Sequence, residues 1–295
     1  MCHYISMKRY FICYLIVCFV SLHAWGQIGG KTVYYDLLIP TKQQSYNQKK
    51  SDDYRVVDEY ARNAPEFNHI SQLADYLSKP YKNNERLRAR AVFAWMVYHL
   101  SYDQFKADNM VGNNKHGRPK FLNSGDAFKT RVGVCGDFAD LFVKIANRAN
   151  LKAVRIDGVA GYHLTRQSAL SSAHAWNGVR IDKKWYLLDV AWAMGGDFSV
   201  FEKMENIRDY KKTIRERQRT KTHQTVDPKR LLNNVWFLTA PDRMIETHFP
   251  NDIKWQLLDK PITPKDVFKA NEGSQKTSHT YHAQPVKMII PRPVK

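Results

Sequence analysis

One cysteine, one histidine and one aspartate have the types and the order of a nucleophile, a base and a group that orients the base. Cys135 lies in RVGVCGD, His174 in AHAWN and Asp189 in WYLLD. His174 follows Cys135 by 39 residues, and Asp189 follows His174 by 15. In acyl transfer, an imidazole takes the proton of the nucleophile while a carboxylate orients the imidazole. We therefore predict that these three residues are catalytic.

Cys135 is predicted to open a helix that ends near Asn150. Apolar residues recur at helical spacing after it, at Phe138, Leu141, Phe142, Ile145 and Ala149. The free N–H groups and the dipole at the start of a helix stabilise a thiolate. Gly133 and Gly136 flank the cysteine and would let the backbone of a substrate come close.

A hairpin is predicted to bring His174 and Asp189 together. Strand-like runs cover 173–181 and 185–190, and Asp182-Lys183 between them would form a two-residue turn. In that register the two residues are diagonal neighbours on one face of the sheet. Because a loop longer by one residue would put them on opposite faces, the predicted site depends on this turn.

Each of the three residues also has a structural explanation. A single histidine on a strand is more often a core or surface residue, Asp189 could cap a turn, and Cys135 could be a buried thiol. His163 and Asp157 are competing members of the triad. The presence of all three residues in this order, with Cys135 as the one cysteine outside the first 26 residues, favours catalysis over these alternatives.

Longer motifs around these residues resemble the transglutaminase-like superfamily. GVCGDFADLF and HAWNGVRIDKKWYLLDVAW are similar to its cysteine and histidine–aspartate segments, and residues 88–95 ending in Tyr102-Asp103 resemble the helix before its core. A C-terminal signature resembles the kyphoscoliosis-peptidase-like subgroup, at residues 237–241, 247–250 and 254–258. The resemblance covers roughly Tyr54 to Pro264.

This resemblance implies an α+β, papain-like core with helices packed on an antiparallel sheet. It implies that Cys135, His174 and Asp189 act on amide bonds of a protein or peptide through a thioester, with no cofactor. No acidic cluster suggests a calcium site, so no metal is expected. Hydrolysis and transfer to an amine both remain open. A non-catalytic scaffold that binds protein or an anionic envelope polymer is the alternative.

Other residues have narrower predicted roles near the cysteine. The backbone N–H of Cys135 is one candidate oxyanion donor, and Tyr102 and Gln104 are candidates for the other. His248, within the C-terminal signature, is expected to be structural. Three tryptophans are expected to wall the cleft, with core packing as the favoured role of each one taken singly: Trp176, Trp185 and Trp192.

The first 26 residues predict a secretory signal. Lys8 and Arg9 precede a 13-residue apolar run that is too short to span a bilayer comfortably, and Ala24-Trp25-Gly26 fits a cleavage site. Cys2, Cys13 and Cys18 fall inside this segment, so the mature chain would keep one thiol and no internal disulfide. We expect a periplasmic or secreted protein with no transmembrane span after cleavage; an uncleaved anchor is the alternative.

Composition narrows the class of protein and of partner. The 295 residues carry a net charge of +18, are 43% hydrophobic and have one long apolar run, which excludes a polytopic membrane protein. This basicity suggests contact with an anionic cell-envelope surface, whereas nucleic acid is not expected. Ten basic and five acidic residues lie in 201–230, which predicts a solvated helix or an insertion.

The predicted organisation is a signal (1–26), an extended lead-in (27–50), one transglutaminase-like domain (51–264) containing the basic insertion (201–230), and a loose tail (265–295). Further elements are expected inside the domain. They are helices at 51–60, 71–77 and 83–100, a loop at 106–126, and strands at 153–156 and 235–238.

Overall fold

The computed structural model describes residues 27–28, 31–32, 53–110, 126–162, 172–195, 199–201, 203–220, 230–263 and 266. They belong to two units, Met1–Asp53 and Tyr54–Lys295. In the first unit, Gln27–Ile28 (β1) pairs with Lys31–Thr32 (β2) in an antiparallel arrangement. Several predicted features lie outside the described residues: the signal, His163, nearly all of the lead-in, and all of the tail except Asp266. Export therefore stays a prediction.

Helices and short 3₁₀ segments account for much of the second unit. The helices are α1 (Arg55–Arg62), α2 (Ile70–Ser78), α3 (Glu85–His99), α4 (Gln104–Met110), α5 (Ala127–Thr130), α6 (Cys135–Arg148), α7 (Val190–Ala193), α8 (Ile207–Thr220) and α9 (Pro241–Met244). The 3₁₀ segments are Lys79–Tyr81, Asn234–Trp236 and Ile253–Gln256. None of the helices within the described residues has the length and apolar character needed to cross a membrane.

The strands of the second unit form two sheets. They are β3 (Ser101–Asp103), β4 (Val132–Gly133), β5 (Lys152–Ala160), β6 (Ala173–Ile181), β7 (Lys184–Leu188), β8 (Ser199–Val200) and β9 (His248–Pro250). The larger sheet is antiparallel with the order β7-β6-β5-β9, and the smaller one is parallel with the order β4-β3-β8. Helices packed on an antiparallel sheet confirm the predicted α+β architecture.

The central helix α6 lies between the helical layer and the large sheet. It contacts α2 and α3 on one side and β5 and β6 on the other. Its apolar stripe is buried, as its helical spacing predicted. Asn177 on β6 donates Nδ2–H bonds to the carbonyl oxygens of Ala139 at 2.9 Å and Val154 at 3.1 Å. This buried amide therefore fixes α6 against the strand that carries His174.

The hairpin between β6 and β7 has the predicted register. Ile181 pairs with Lys184, so the turn consists of Asp182 and Lys183. Both turn residues have positive φ, 48° and 68°. A two-residue turn with this backbone matches the right-handed twist of the strands, which explains why it closes the hairpin without a bulge.

Two predicted boundaries in the N-terminal half are wrong. The first helix begins at Arg55 rather than Ser51, and no side chain caps it. The expected loop at 106–126 is helical at its start, because α4 runs to Met110. Asp103 stabilises α4 by accepting the backbone N–H of Lys106 at 2.9 Å, and residues 111–125 lie outside the described part.

The strand predicted at 235–238 is also wrong. Residues Asn234–Trp236 form a 3₁₀ segment in which Asn233 Oδ1 accepts the N–H of Val235 at 3.1 Å. Pairing with the sheet is limited to a single bridge between Thr239 and Leu187. The asparagine cap thus wins over the β propensity of the apolar residues that follow.

The basic segment 201–230 contains α8, a helix with one buried face. Tyr210 and Ile214 pack against Phe105, and the Tyr210 hydroxyl donates to Asp103 Oδ2 at 2.7 Å. Its exposed basic residues are Arg208, Lys211, Lys212, Arg215 and Arg219. The prediction of a solvated helix therefore holds for 207–220.

At Gly158, β5 lies close to the neighbouring strand on each side. It pairs with His174 of β6 on one side and with Pro250 of β9 on the other. A Cβ at this position would lie 2.7 Å from Trp176 Cη2 and 2.8 Å from Pro250 Cα. Since part of this contact is backbone, the neighbours cannot move away by changing a rotamer.

We expect Gly158→Ala to lower the free energy of unfolding by about 2–3 kcal/mol, because the added methyl group overpacks the sheet. Denaturant unfolding followed by circular dichroism measures this change. Gly136→Ala is the matched control, since a Cβ there would lie 3.4 Å from the end of the Arg155 side chain, an ordinary contact. Equal stability of the two variants would contradict the packing described here.

Candidate active site

The turn between β4 and α6 places Cys135 at the first position of the helix. Val134 before it is extended, and its N–H donates to Asp137 Oδ2 at 2.9 Å. The same oxygen accepts from Lys106 Nζ at 2.7 Å, and Lys106 is buried. Asp137 and Lys106 therefore hold the turn, and Cys135 remains a partly exposed free thiol.

The two glycines beside the cysteine have different surroundings from those expected. A Cβ on Gly133 would lie 2.8 Å from the Asp137 Cβ, so glycine makes room for that side chain to fold back over the turn. Gly136 faces the guanidinium group of Arg155, which lies 3.4 Å from where a Cβ would stand. Protein side chains thus occupy the space beside both glycines.

Asp189 connects the end of β7 to α7 and contacts the predicted base. Its Oδ1 accepts the backbone N–H of Trp192 at 2.9 Å, which caps α7. Its Oδ2 lies 2.5 Å from Nε2 of His174. The capping role and the orienting role, which were alternatives in the sequence, are performed by different oxygens of one carboxylate.

The thiol of Cys135 completes the group, because it lies close enough to the His174 ring for each of them to shift the pKa of the other. Because Nε2 of His174 faces Asp189, Nδ1 is the nitrogen left for the thiol. The structure therefore brings together all three residues that were predicted to be catalytic, from α6, β6 and the end of β7.

The charges in this group support one another. Burial disfavours the imidazolium form of His174, but the charge and hydrogen bond of Asp189, together with Cys135, raise its pKa above the usual value. Burial also disfavours the thiolate, but the hydrogen bond and charge of His174 outweigh it and lower the pKa of Cys135. The arrangement favours a thiolate beside an imidazolium ion.

Asp189 stays ionised although it has no exposed surface. Burial alone would raise the pKa of this carboxyl group, but the charge of His174 and hydrogen bonds from His174 and His248 lower it. A carboxylate in this position can therefore hold a positive imidazole without taking its proton.

His248 is a second imidazole on the same carboxylate. Its Nε2 lies 2.9 Å from Asp189 Oδ2, and its Nδ1 lies 2.8 Å from the Thr247 hydroxyl. The sequence predicts a structural role only for His248, but the residue also contacts the carboxylate of the predicted site. The signal was present in the Thr247-His248 pair of the C-terminal signature, but nothing in the sequence tied that pair to Asp189.

The spacing of these three side chains is that of hydrogen bonds. Metal-binding atoms of His174, Asp189 and His248 all lie within 4.8 Å of one another. Two ligands of a tetrahedral ion at about 2.0 Å would stand about 3.3 Å apart. The 2.5 Å and 2.9 Å separations from Asp189 Oδ2 are shorter, so this arrangement fits shared protons rather than a shared metal.

Aromatic rings surround the two histidines. Trp192 lies 6.0 Å from His174 and 4.5 Å from His248 between ring centroids, and Trp176 lies 6.1 Å from His174. Trp185 does not belong to this wall; it lies near the turn end of β7 and packs edge-on against Trp255.

The competing residues can now be placed. Asp157 is exposed on β5 and forms an ion pair with Arg155 at 2.6 Å. Gln104 donates its amide to Asp108 Oδ1 at 2.7 Å, within α4. Tyr102 pairs with Gly133, and burial followed by the nearby Cys135 and Asp189 raises the pKa of its hydroxyl, which stays protonated. Of the two side-chain oxyanion candidates, Tyr102 is the one beside the thiol.

Comparison with known proteins shows which family the central part of the chain resembles. Residues 71–190, which include all three predicted site residues, match the family model described as the transglutaminase-like superfamily. Kyphoscoliosis peptidase from Homo sapiens is 25% identical over 241 residues, covering 80% of this chain and 31% of the human protein. Kyphoscoliosis peptidase from Mus musculus is 27% identical over 192 residues, covering 64% and 24%. The chain thus spans a third or less of these relatives.

Solved structures overlap parts of the chain. A crystal structure described as a TGase aligns at 15% identity and a TM-score of 0.32, over 57% of this chain and 41% of its own. The periplasmic domain of TgpA from Pseudomonas aeruginosa aligns at 16% identity and a TM-score of 0.32, over 46% and 47%. The family match over residues 71–190 and the related sequences support assignment to the transglutaminase-like superfamily and to its kyphoscoliosis-peptidase-like subgroup.

Proposed function

We propose that the protein is a thiol enzyme that hydrolyses amide bonds in protein or peptide substrates. The observation that carries this proposal is the Cys135 thiol beside an imidazole whose Nε2 lies 2.5 Å from the buried carboxylate of Asp189. The names of the related proteins support peptidase activity. A scaffold without activity would gain little from burying this carboxylate behind the imidazole that faces the thiol.

The first half of the reaction follows from the positions of these groups. The Cys135 thiolate attacks the amide carbonyl carbon, and the carbonyl oxygen becomes negative. When the C–N bond breaks, the His174 imidazolium gives its proton to the leaving amine, and a thioester to Cys135 remains. Neutral His174 then takes a proton from water as the water attacks the thioester. The C–S bond breaks, the acid product is released, and the Cys135 thiolate is left beside the His174 imidazolium.

Two donors for the negative oxygen complete the proposed mechanism. The backbone N–H of Cys135 is in the first turn of α6, where N–H groups have no partner within the helix. The hydroxyl of Tyr102 is the proposed second donor, because it stays protonated beside the thiol. Transfer of the acyl group to an amine instead of water uses the same thioester and is the alternative outcome.

We also propose that the exposed basic residues of α8 contact an anionic cell-envelope surface. This helix is held to the domain by its buried residues Tyr210 and Ile214, so its basic side chains are free to face a partner. Charge on an exposed helix face attracts anionic lipid through a field that salt screens.

The coupling of Cys135 to His174 predicts how iodoacetamide alkylation depends on pH. Since the thiol pKa is lowered and the imidazole pKa is raised, the thiolate–imidazolium pair exists between the two values. We expect rapid alkylation at about pH 6–7, whereas an ordinary thiol with a pKa near 8.5 reacts slowly there. His174→Ala should slow the reaction at neutral pH by about tenfold or more and restore it in alkali. Equal rates for both proteins would show that the pair is not coupled.

Tyr102→Phe tests the second oxyanion donor in a peptide-hydrolysis assay. Loss of one such donor lowers kcat by about 100- to 1000-fold, and KM should change little. Tyr186→Phe, at a half-buried tyrosine on β7, is the control, and Cys135→Ser defines the background rate. A Tyr102→Phe variant with the kcat of the wild type would remove this residue from the mechanism. Parallel measurement of amine incorporation decides between hydrolysis and acyl transfer.

Vesicle sedimentation tests the contact of α8 with anionic lipid. We expect binding to phosphatidylglycerol vesicles, weakening as salt rises, and little binding to phosphatidylcholine vesicles. Two triple charge reversals of equal net change are compared: Lys211→Glu, Lys212→Glu and Arg215→Glu against Lys144→Glu, Arg148→Glu and Lys152→Glu. The α8 variant should lose binding more strongly than the control. Equal loss would assign the effect to net charge alone.

A further inference from the structure

Asp189 Oδ2 accepts hydrogen bonds from two imidazole rings. His174 lies 2.5 Å from it and His248 lies 2.9 Å from it. His174 has 9% of its side chain exposed, whereas His248 has none. The histidine that faces the thiol is therefore backed by a second one that substrate does not reach.

The contacts of His248 fix its protonation. Burial, together with the positive charge of His174, lowers its pKa to about 4, so the ring is neutral at neutral pH. A neutral ring carries one N–H, and the carboxylate oxygen 2.9 Å from Nε2 requires the hydrogen to be there. Nδ1 is then an acceptor, and the Thr247 hydroxyl, 2.8 Å away, donates to it.

The position of His248 is set by the sheet and by aromatic rings. It begins β9 and pairs with Ala160 of β5. The rings of Trp192, Trp236 and Trp176 lie 4.5, 5.2 and 5.1 Å from it between centroids. A ring held in this way presents its N–H to Asp189 in a constant direction.

We propose that His248, held by Thr247, is a positioning residue that directs Asp189 Oδ2 towards His174 and keeps this carboxylate charged. This inference rests on the proposed function. A donated hydrogen bond stabilises the carboxylate anion. Without it, the buried carboxylate becomes more basic, the proton shared with His174 moves towards Asp189, and the thiolate of Cys135 loses its cationic partner.

The test is the pH dependence of Cys135 alkylation by iodoacetamide in the full chain, with unfolding measured in parallel. His248→Phe keeps an aromatic ring but has no donor, and it should shift the acid limb of the profile to higher pH by about one unit, which is about tenfold in rate on that limb. His248→Gln keeps an amide N–H at the same reach and should retain the wild-type profile. Thr247→Val should shift the limb in the same direction, and Thr247→Ser should not.

A control separates positioning from general loss of stability. His99→Phe replaces a half-buried histidine, which bonds to the carbonyl of Ala61 and stacks on Trp95. It should lower stability and leave the profile unchanged. If His248→Phe and Thr247→Val also leave it unchanged while His174→Ala shifts it, the inference is wrong and the proposed function stands. If His174→Ala does not shift it either, the proposed function fails. Should His248→Phe not fold, the Thr247 pair decides alone.

Discussion

The buried carboxylate of Asp189 is the group on which the site depends. It has no exposed surface, yet it is charged, and a charge in such a place is tolerated when hydrogen bonds satisfy it. Three donors do so: the backbone N–H of Trp192, His174 and His248. Removing one partner of a buried charge typically costs about 3–5 kcal/mol, so these contacts constrain α7, β6 and β9 together.

The thiol is linked to this carboxylate through His174, and separate hydrogen bonds fix the elements that carry the thiol and the histidine. Asn177 ties α6 to the sheet three residues after His174 on β6, and Asp137 closes the turn before the cysteine. The nucleophile and the base therefore come from different layers of the fold, and short hydrogen bonds fix the helix, the strand and the turn that carry them. Such support is what a reacting geometry requires, because an error of about 1 Å can lower a rate greatly.

Much of this arrangement was predictable from local sequence patterns. Helical spacing after Cys135 identified α6, and the two-residue turn at Asp182-Lys183 correctly placed His174 next to Asp189, because strand alternation leaves little freedom of register. The signature motifs indicated the transglutaminase-like superfamily, whose family model matches residues 71–190. Short helices were harder, since a cap at Asp103 or Asn233 overrides the preference of the residues after it.

The role of His248 was not predictable, because it comes from a contact 59 residues away in the chain. Periodicity and turn residues indicate the structure of neighbouring residues only, so they do not predict the pairing of β9 with β5. Trp185 is a second example. Its motif predicted a position beside the site, but it lies at the start of β7, near the turn. Residues that complete a site through distant pairing are thus the ones that sequence patterns miss.

The most direct measurement of the central claim is the ultraviolet absorbance of the thiolate, taken as the difference between the wild type and Cys135→Ser across pH. A thiolate paired with the His174 imidazolium should already absorb below neutral pH, and the absorbance should show no further rise near pH 8.5. A difference spectrum that first appears near pH 8.5, as for a free thiol, would contradict the proposed ion pair of the Cys135 thiolate and the His174 imidazolium, which Asp189 stabilises.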